Sequence, residues 1–364
     1  MSKIQPTPAG RLLSLDYLRG YFVIIIIVDH LWKYPSLWAL VSGEAKLWVT
    51  AAEGFVMISG FLIGYIRGFK GLKLPFSDIA RKLLWRAAML YFWMVIVSMG
   101  YIVLEWSKLI PNMPFTSIST GNYTSHLDAF TQFALGGQPH MWIHFLYLYA
   151  IFLLLAIGAV FMLRRRQPWL LVITTLLTYL LGLIFDEEWM KWQIIFFLPS
   201  IVGFYFDQVR TWWSARAQTV QAQLRSGLWG VSGVLLFLSV MAAFAPWSLP
   251  TAFVDWTNAA FAIKGFSPLR VIVAGLWFVS LAFLFERIAP WLQKYTYGVL
   301  EYFGTHSLTA YIAHGFMICL VNYIFTFAVP EALAIPYNTL LGFTTIMATY
   351  FFIRLPGIRR VIPK

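Results

Sequence analysis

The sequence predicts an all-α polytopic membrane protein, and three observations carry that prediction. Of its 364 residues, 60% are hydrophobic and only 12% are charged, about half the charged share of an ordinary soluble domain. Apolar runs of roughly twenty residues, each long enough to cross a bilayer, recur along the whole chain. The basic residues gather between alternate runs rather than on one surface, so the net charge of +12 reads as topology and no nucleic-acid partner is expected.

Taken in order, ten spans are expected, at 13–34, 47–66, 83–104, 141–163, 168–186, 189–206, 227–245, 269–286, 304–327 and 336–353. Lys3 and Arg11 precede the first, and Arg67, Lys70 and Lys73 follow the second. Arg164, Arg165 and Arg166 follow the fourth, Arg210, Arg216 and Arg225 the sixth, Arg287 and Lys294 the eighth, and Arg354, Arg359, Arg360 and Lys364 the tenth. The opposite loops hold Glu44, Glu105, Asp128, Asp186, Asp255 and Glu331. This bias places both termini in the cytoplasm, as an even number of spans requires. Residues 210–216, with Trp212 and Trp213, read as a short interfacial helix. The chain 1–364 reads as a single integral-membrane domain in a lipid bilayer, with no soluble domain appended. Cys319 is its only cysteine, which excludes an intramolecular disulfide and a cysteine-based metal site.

Ionisable groups in hydrocarbon are costly, so each is a functional hypothesis. The first span carries Asp16, Arg19, Asp29 and His30. Arg19 and His30, eleven positions apart, share one helix face and lie about 16 Å apart along its axis. On the expected orientation Arg19 is near the cytoplasmic surface, with Arg81, Lys82 and Arg86 of the third span. His30 is near the outer surface, with Glu53 of the second span and His140 and His144 at the start of the fourth. His306 and His314 fall in the cytoplasmic half of the ninth.

Simpler readings stand beside these. Asp16 and Arg19, three apart, can neutralise each other. Arg81, Lys82 and Arg86 can be topogenic charge that snorkels to headgroups, and His140 and His144 can anchor a helix end. His30 and Glu53 resist such readings, because a carboxylate followed by Phe55, Val56, Met57 and Ile58 needs a buried partner or a proton. Imidazole and carboxylate suit zinc, but the spacing of a metal-binding helix is missing and no metal is expected. There is no P-loop and no nucleophile elbow. Ser59-Gly60-Phe61 reads as a site of close helix packing rather than as a nucleophile.

Leu15-Asp16-Tyr17-Leu18-Arg19-Gly20 followed by His30 resembles the opening signature of the membrane-bound acyltransferase-3 family, an Arg and a His with ten residues between them. The run from Glu53 through Ser59-Gly60-Phe61 resembles that family's second-helix motif. Its Ala-Glu before Phe-Val is similar to the OpgC-type branch, which succinylates osmoregulated periplasmic glucans. Met141-Trp142 resembles the start of a later family helix, and Gly304, Ser307, Tyr311 and His314 are similar to a late motif. One departure stands out: the family's third helix opens with two arginines three apart, whereas Arg81, Lys82 and Arg86 offer spacings of four and five. The resemblance implies a multi-pass enzyme of the bacterial inner membrane. It would take an acyl group from cytoplasmic acyl-CoA and deliver it to a hydroxyl of a periplasmic or surface carbohydrate, as succinyl to a glucan or O-acetyl to a polysaccharide. Arg19 and His30 would be the essential pair.

The residues fit that expectation. The polyanionic end of acyl-CoA is expected at Arg19, Arg81, Lys82 and Arg86, because guanidinium forks suit phosphate. His30 is expected to act as general base and Glu53 to fix its tautomer, as the acid of a catalytic triad does. His140, Trp142 and His144 are expected to line the acceptor side, with Tyr311 and His314 as further substrate contacts. The rival reading is a transporter or exporter of a proton-coupled solute or glycan, with His30 and Glu53 as a relay. A homo-oligomer is left open.

Overall fold

Every regular element among the described residues is helical. The computed structural model describes residues 13–107, 123–137, 139–325, 327 and 329–362; Lys3, Arg11 and Lys364 lie outside them. Ten helices follow the ten expected spans in order: α1 (Leu13–Leu31), α2 (Ala51–Leu62), α3 (Phe76–Ser107), α4 (His144–Arg164), α5 (Pro168–Phe185), α6 (Ile194–Phe204), α7 (Gln218–Phe244), α8 (Pro268–Tyr295), α9 (Ser307–Ile324) and α10 (Ala334–Arg354).

Among the described residues, seven stretches are long and apolar enough to cross a membrane: Ala51–Lys73, Phe76–Ser107, Met141–Arg164, Pro168–Phe185, Gln218–Phe244, Pro268–Tyr295 and Ser307–Ile324. The protein is an all-α polytopic membrane protein. The three remaining expected spans are helical but differ in kind. α1 carries Asp16, Arg19 and Asp29 within 19 residues. α6 has 11 residues, about 16 Å of helix against a hydrocarbon core of roughly 30 Å. α10 buries Asn338, Thr345 and Thr349.

α1 sits at the centre and packs against α2, α8, α9, α10 and the short helix Val299–Thr305. Its run of Phe22, Val23, Ile25, Ile26, Ile27 and Val28 is buried, as a helix that is apolar all round should be. Two glycines bring backbones together. A Cβ on Gly20 would collide with the Leu300 carbonyl, and one on Gly304 with the Asp16 carbonyl. α2 and α6 interlock in the same way, Gly60 and Gly64 meeting the carbonyls of Phe196 and Ser200, and Gly203 that of Phe61. Small residues permit such contacts between membrane helices, so Ser59-Gly60-Phe61 is the packing site expected of it.

The two ends of α2 depart from a plain membrane span. At its start, Thr50 and Glu53 form a capping box, which satisfies donors that the first turn leaves open. At its far end, α2 passes into a π-helical segment, Ile63–Phe69. The interfacial helix expected at 210–216 runs from Phe206 to Ser214 and buries none of its residues.

Candidate active site

His30, half-buried, and His314, fully buried, form a pair. His30 Nδ1 lies 2.7 Å from His314 Nε2, and His314 Nδ1 lies 2.5 Å from the Tyr311 carbonyl oxygen. The tautomers follow from that chain. A carbonyl only accepts, so His314 carries its proton on Nδ1, and in the neutral ring Nε2 is then an acceptor. His30 Nδ1 must therefore donate, which leaves its Nε2 with an unshared pair and no protein partner among the described residues. Trp142 stacks on the other face of the site, its ring parallel to that of His30 within 8° at 5.8 Å between centroids.

Two cavities approach this pair. One, of about 380 Å³, is a cleft lined by Asp29, His30, Trp32, Met141, His144 and Glu188. His144 Nε2 is 2.9 Å from Glu188 Oε2. The neighbouring link is pinned by Lys191, whose Nζ donates to Asp186 Oδ1 at 2.6 Å and to the Lys264 carbonyl at 2.6 Å. That hydrogen bond and the ammonium charge hold the Asp186 carboxyl below the usual range. The second cavity, of about 230 Å³, receives Arg19, Arg67 and Arg86 together with Ser59, Tyr149 and Tyr311. Its described lining contains no carboxylate, although Asp16 acts on Arg19 from nearby. Phe145 lines both spaces, and Phe55 stacks on Tyr311 beside it at 6.5 Å. An imidazole with a free ring nitrogen thus stands in one space, and three guanidinium groups stand across an aromatic partition in the other.

The family model for the OpgC protein matches residues 11–355. The chain belongs to the OpgC family. With its polytopic helices it is a membrane acyltransferase of the acyltransferase-3 type. No curated protein and no solved structure matches it.

The sequence elements that resemble OpgC motifs fall on both sides of that partition. Arg19 and His30 occupy the two cavities as separate ends of α1. Arg19 Nη1 donates to the Gly304 carbonyl at 3.4 Å. Arg86 reaches the same cavity as Arg19, but Arg81 and Lys82 do not. Arg81 is exposed and pairs with Asp78 one turn earlier at 3.2 Å, and Lys82 is exposed too. Arg81 is turned well away from Arg86 on α3, and Lys82, one turn before Arg86, stays at the exposed end of the helix, so of the three expected cations only Arg86 lines the cavity with Arg19. Glu53 is not the partner of His30. Its Oε1 accepts from Arg270 Nε at 2.6 Å and its Oε2 from the Thr50 hydroxyl at 2.7 Å and backbone N–H at 3.0 Å. The position expected for it beside the imidazole belongs to His314. His314, expected in the half of its span away from His30, lies directly against it; α9 starts at Ser307 and carries His314 two turns in.

At the entry to α4, where the turn Met141–Ile143 leads into the helix, the expected acceptor residues divide. His144 lines the cleft. Trp142 is wholly buried behind His30, and His140 supports it, its Nδ1 accepting from the Trp142 backbone N–H at 3.3 Å. Tyr311 lines the arginine cavity and lends its carbonyl to His314.

Two residues at the site are not expected from the sequence. Arg67 reads there as loop charge, yet it continues the face Phe55, Ser59, Leu62, Ile63 and Ile66 at helical spacing, and all of these line the arginine cavity. The π-helical turn extends α2 far enough to bring it there, a distortion frequent at functional sites. Arg270, a lone cation at the start of the eighth expected span, is the charge complement that buried Glu53 requires.

Proposed function

We propose that the protein moves an acyl group from cytoplasmic acyl-CoA to a hydroxyl of a periplasmic or surface carbohydrate, with His30 as general base. The observation that carries this reading is the setting of His30. Its ring is oriented by His314 and Trp142 in the wall of one cleft, one partition away from a cavity holding three arginines. With both termini cytoplasmic, the Arg19 cavity faces the donor and the His30 cleft the acceptor.

In this reading Arg19, Arg67 and Arg86 hold the phosphates of the donor through charge-assisted hydrogen bonds. The acyl-bearing arm follows α1, along which Arg19 and His30 are about 16 Å apart. Asp29, His144 and Glu188 accept or donate hydrogen bonds to sugar hydroxyls, and Trp32 offers an apolar face. One hydroxyl gives its proton to His30 Nε2 as its oxygen attacks the thioester carbon. The C–S bond breaks, an ester forms, and the proton passes from His30 to the departing thiolate. Membership of the OpgC family favours succinyl as the acyl group and a glucan as the acceptor, with acetyl transfer to another polysaccharide as the alternative. The rival relay reading needs His30 and Glu53 to exchange protons, and the ion pair of Glu53 with Arg270 disfavours it.

The test uses the full chain in proteoliposomes with succinyl-CoA or acetyl-CoA on one side and glucan on the other, read by mass spectrometry of the glycan. Ester should form with the wild type and be lost in His30→Ala and in Arg19→Ala. Ester formation that persists in both variants would falsify the reading.

A further inference from the structure

A third cavity, of about 380 Å³, lies between α1, α7 and α8, large enough for a small ligand. We propose that it holds one hydrocarbon chain of a membrane lipid, whose headgroup sits at the edge of the His30 cleft. Three observations lead there, and none depends on the acyl-transfer reading.

The first is chemistry. Phe22, Ile25, Leu47, Leu236, Phe278 and Leu281 line the space, and no charged residue among the described ones does. The hydroxyls that border it are already paired within the protein. Tyr21 donates to the Val41 carbonyl at 2.7 Å, Ser232 and Ser280 share a 2.7 Å bond, and Thr50 donates to Glu53 at 2.7 Å. The Ser42 hydroxyl accepts from the Glu44 backbone N–H at 2.9 Å. A sugar or nucleotide would lose hydrogen bonds to water here and regain few, whereas an alkyl chain loses none.

The second is place. α7 turns Val231, Val234 and Phe237 outward, each more than half exposed, which is the composition of a lipid-facing helix surface. The cavity lies behind that one helix. The third is continuity: Thr50 and Ala51 line both this cavity and the cleft that contains His30. A lipid entering from the leaflet on the His30 side would carry its headgroup to that shared rim.

Gly233 provides the test. It lines the cavity, and a Cβ added there meets nothing within 4 Å, so Gly233→Phe can start its ring into the space without a clash at the backbone. Gly230, three residues earlier on α7, is equally open but does not line the cavity, so Gly230→Phe is the matched control. The full chain is reconstituted in phosphatidylcholine vesicles doped with phosphatidylcholine bearing a photoactivatable diazirine on one acyl chain, irradiated, digested and mapped. Wild type and Gly230→Phe should be labelled at Phe278 and Leu281. Gly233→Phe should lose that labelling by about tenfold while labelling at outward-facing Val234 persists. Unchanged labelling of these two inner positions in Gly233→Phe overturns the proposal, as does a wild type labelled at Val234 alone. Should Gly233→Phe fail to fold, Val240→Trp, which lines the same cavity, makes the same comparison.

Discussion

His30 Nδ1 and His314 Nε2 are 2.7 Å apart although 284 positions separate them in sequence. The group that orients the candidate base is thus a neutral imidazole rather than a carboxylate. Between membrane helices that choice has a physical reason, since an ionised acid would have to be desolvated without a cation beside it. The one buried carboxylate nearby on α2, Glu53, has such a cation in Arg270. When His30 takes a proton, the hydrogen-bonded chain to His314 and the Tyr311 carbonyl lets the positive charge spread over two rings.

His314→Ala removes the acceptor that fixes the His30 tautomer. The catalytic rate should fall by about a hundredfold or more, with donor KM changed little, as measured by initial rates in proteoliposomes. A fall confined to KM would mean that His314 contacts the donor instead.

The pair also sets the sign of the pH dependence. The base works only with its Nε2 unprotonated, and protonating His314 turns its Nε2 from acceptor to donor, facing another donor. The rate should therefore fall on acidification and not rise. A rate that rises on acidification rules out the assigned tautomers.

Donor affinity should separate the cations of α2 and α3. Arg67→Ala and Arg86→Ala each remove a charged hydrogen-bond donor, so donor KM should rise about tenfold to a hundredfold. Arg81→Ala and Lys82→Ala should leave it within about twofold, as expected of exposed surface charges. Equal effects from all four would restore the site expected from the sequence.

Glu53→Gln strands the Arg270 guanidinium in a buried site. It should cost about 3–5 kcal/mol of stability, seen as a lower melting temperature in detergent, while the folded fraction keeps most of its catalytic rate. The double variant Glu53→Gln with Arg270→Gln should be less unstable than the sum of the singles. Full stability with lost activity would return Glu53 to the chemistry.

Gly60→Val should abolish folded protein in the membrane, because its side chain must displace the Phe196 carbonyl of α6. Gly158→Ala on α4 meets nothing within 4 Å and should be tolerated, by the yield of monodisperse protein on size-exclusion chromatography.

Periodicity and charge make most of the fold legible, because the lengths of apolar runs are dictated by the bilayer. Arg19 and His30 are legible for the same reason, as expensive residues on one helical face. What stays hidden depends on contacts between distant elements. The meeting of His314 with His30 follows from how α9 packs on α1, and the short helix Val299–Thr305 before it, which breaks at His306 and also packs on α1, is invisible in the hydropathy. Glu53 is recognisable as needing a partner, but sequence alone does not choose between His30 and Arg270. The Thr50-Ala51-Ala52-Glu53 pattern of a capping box is a local clue that one of its oxygens is already engaged. Arg67 is missed whenever α2 is taken to end where its hydropathy does.

The contact of Gly20 with Leu300 and of Gly304 with Asp16 has a mechanical meaning. Two reciprocal notches, each without a side chain to yield, join α1 to the segment that leads into α9. His30 and His314 rise from opposite sides of that joint. Sliding or rocking one element against the other would drive backbone into backbone before it separated the rings. The distance between the two imidazoles is therefore set by the scaffold before any substrate arrives, and catalysis by this pair would draw on static preorganisation rather than on closure.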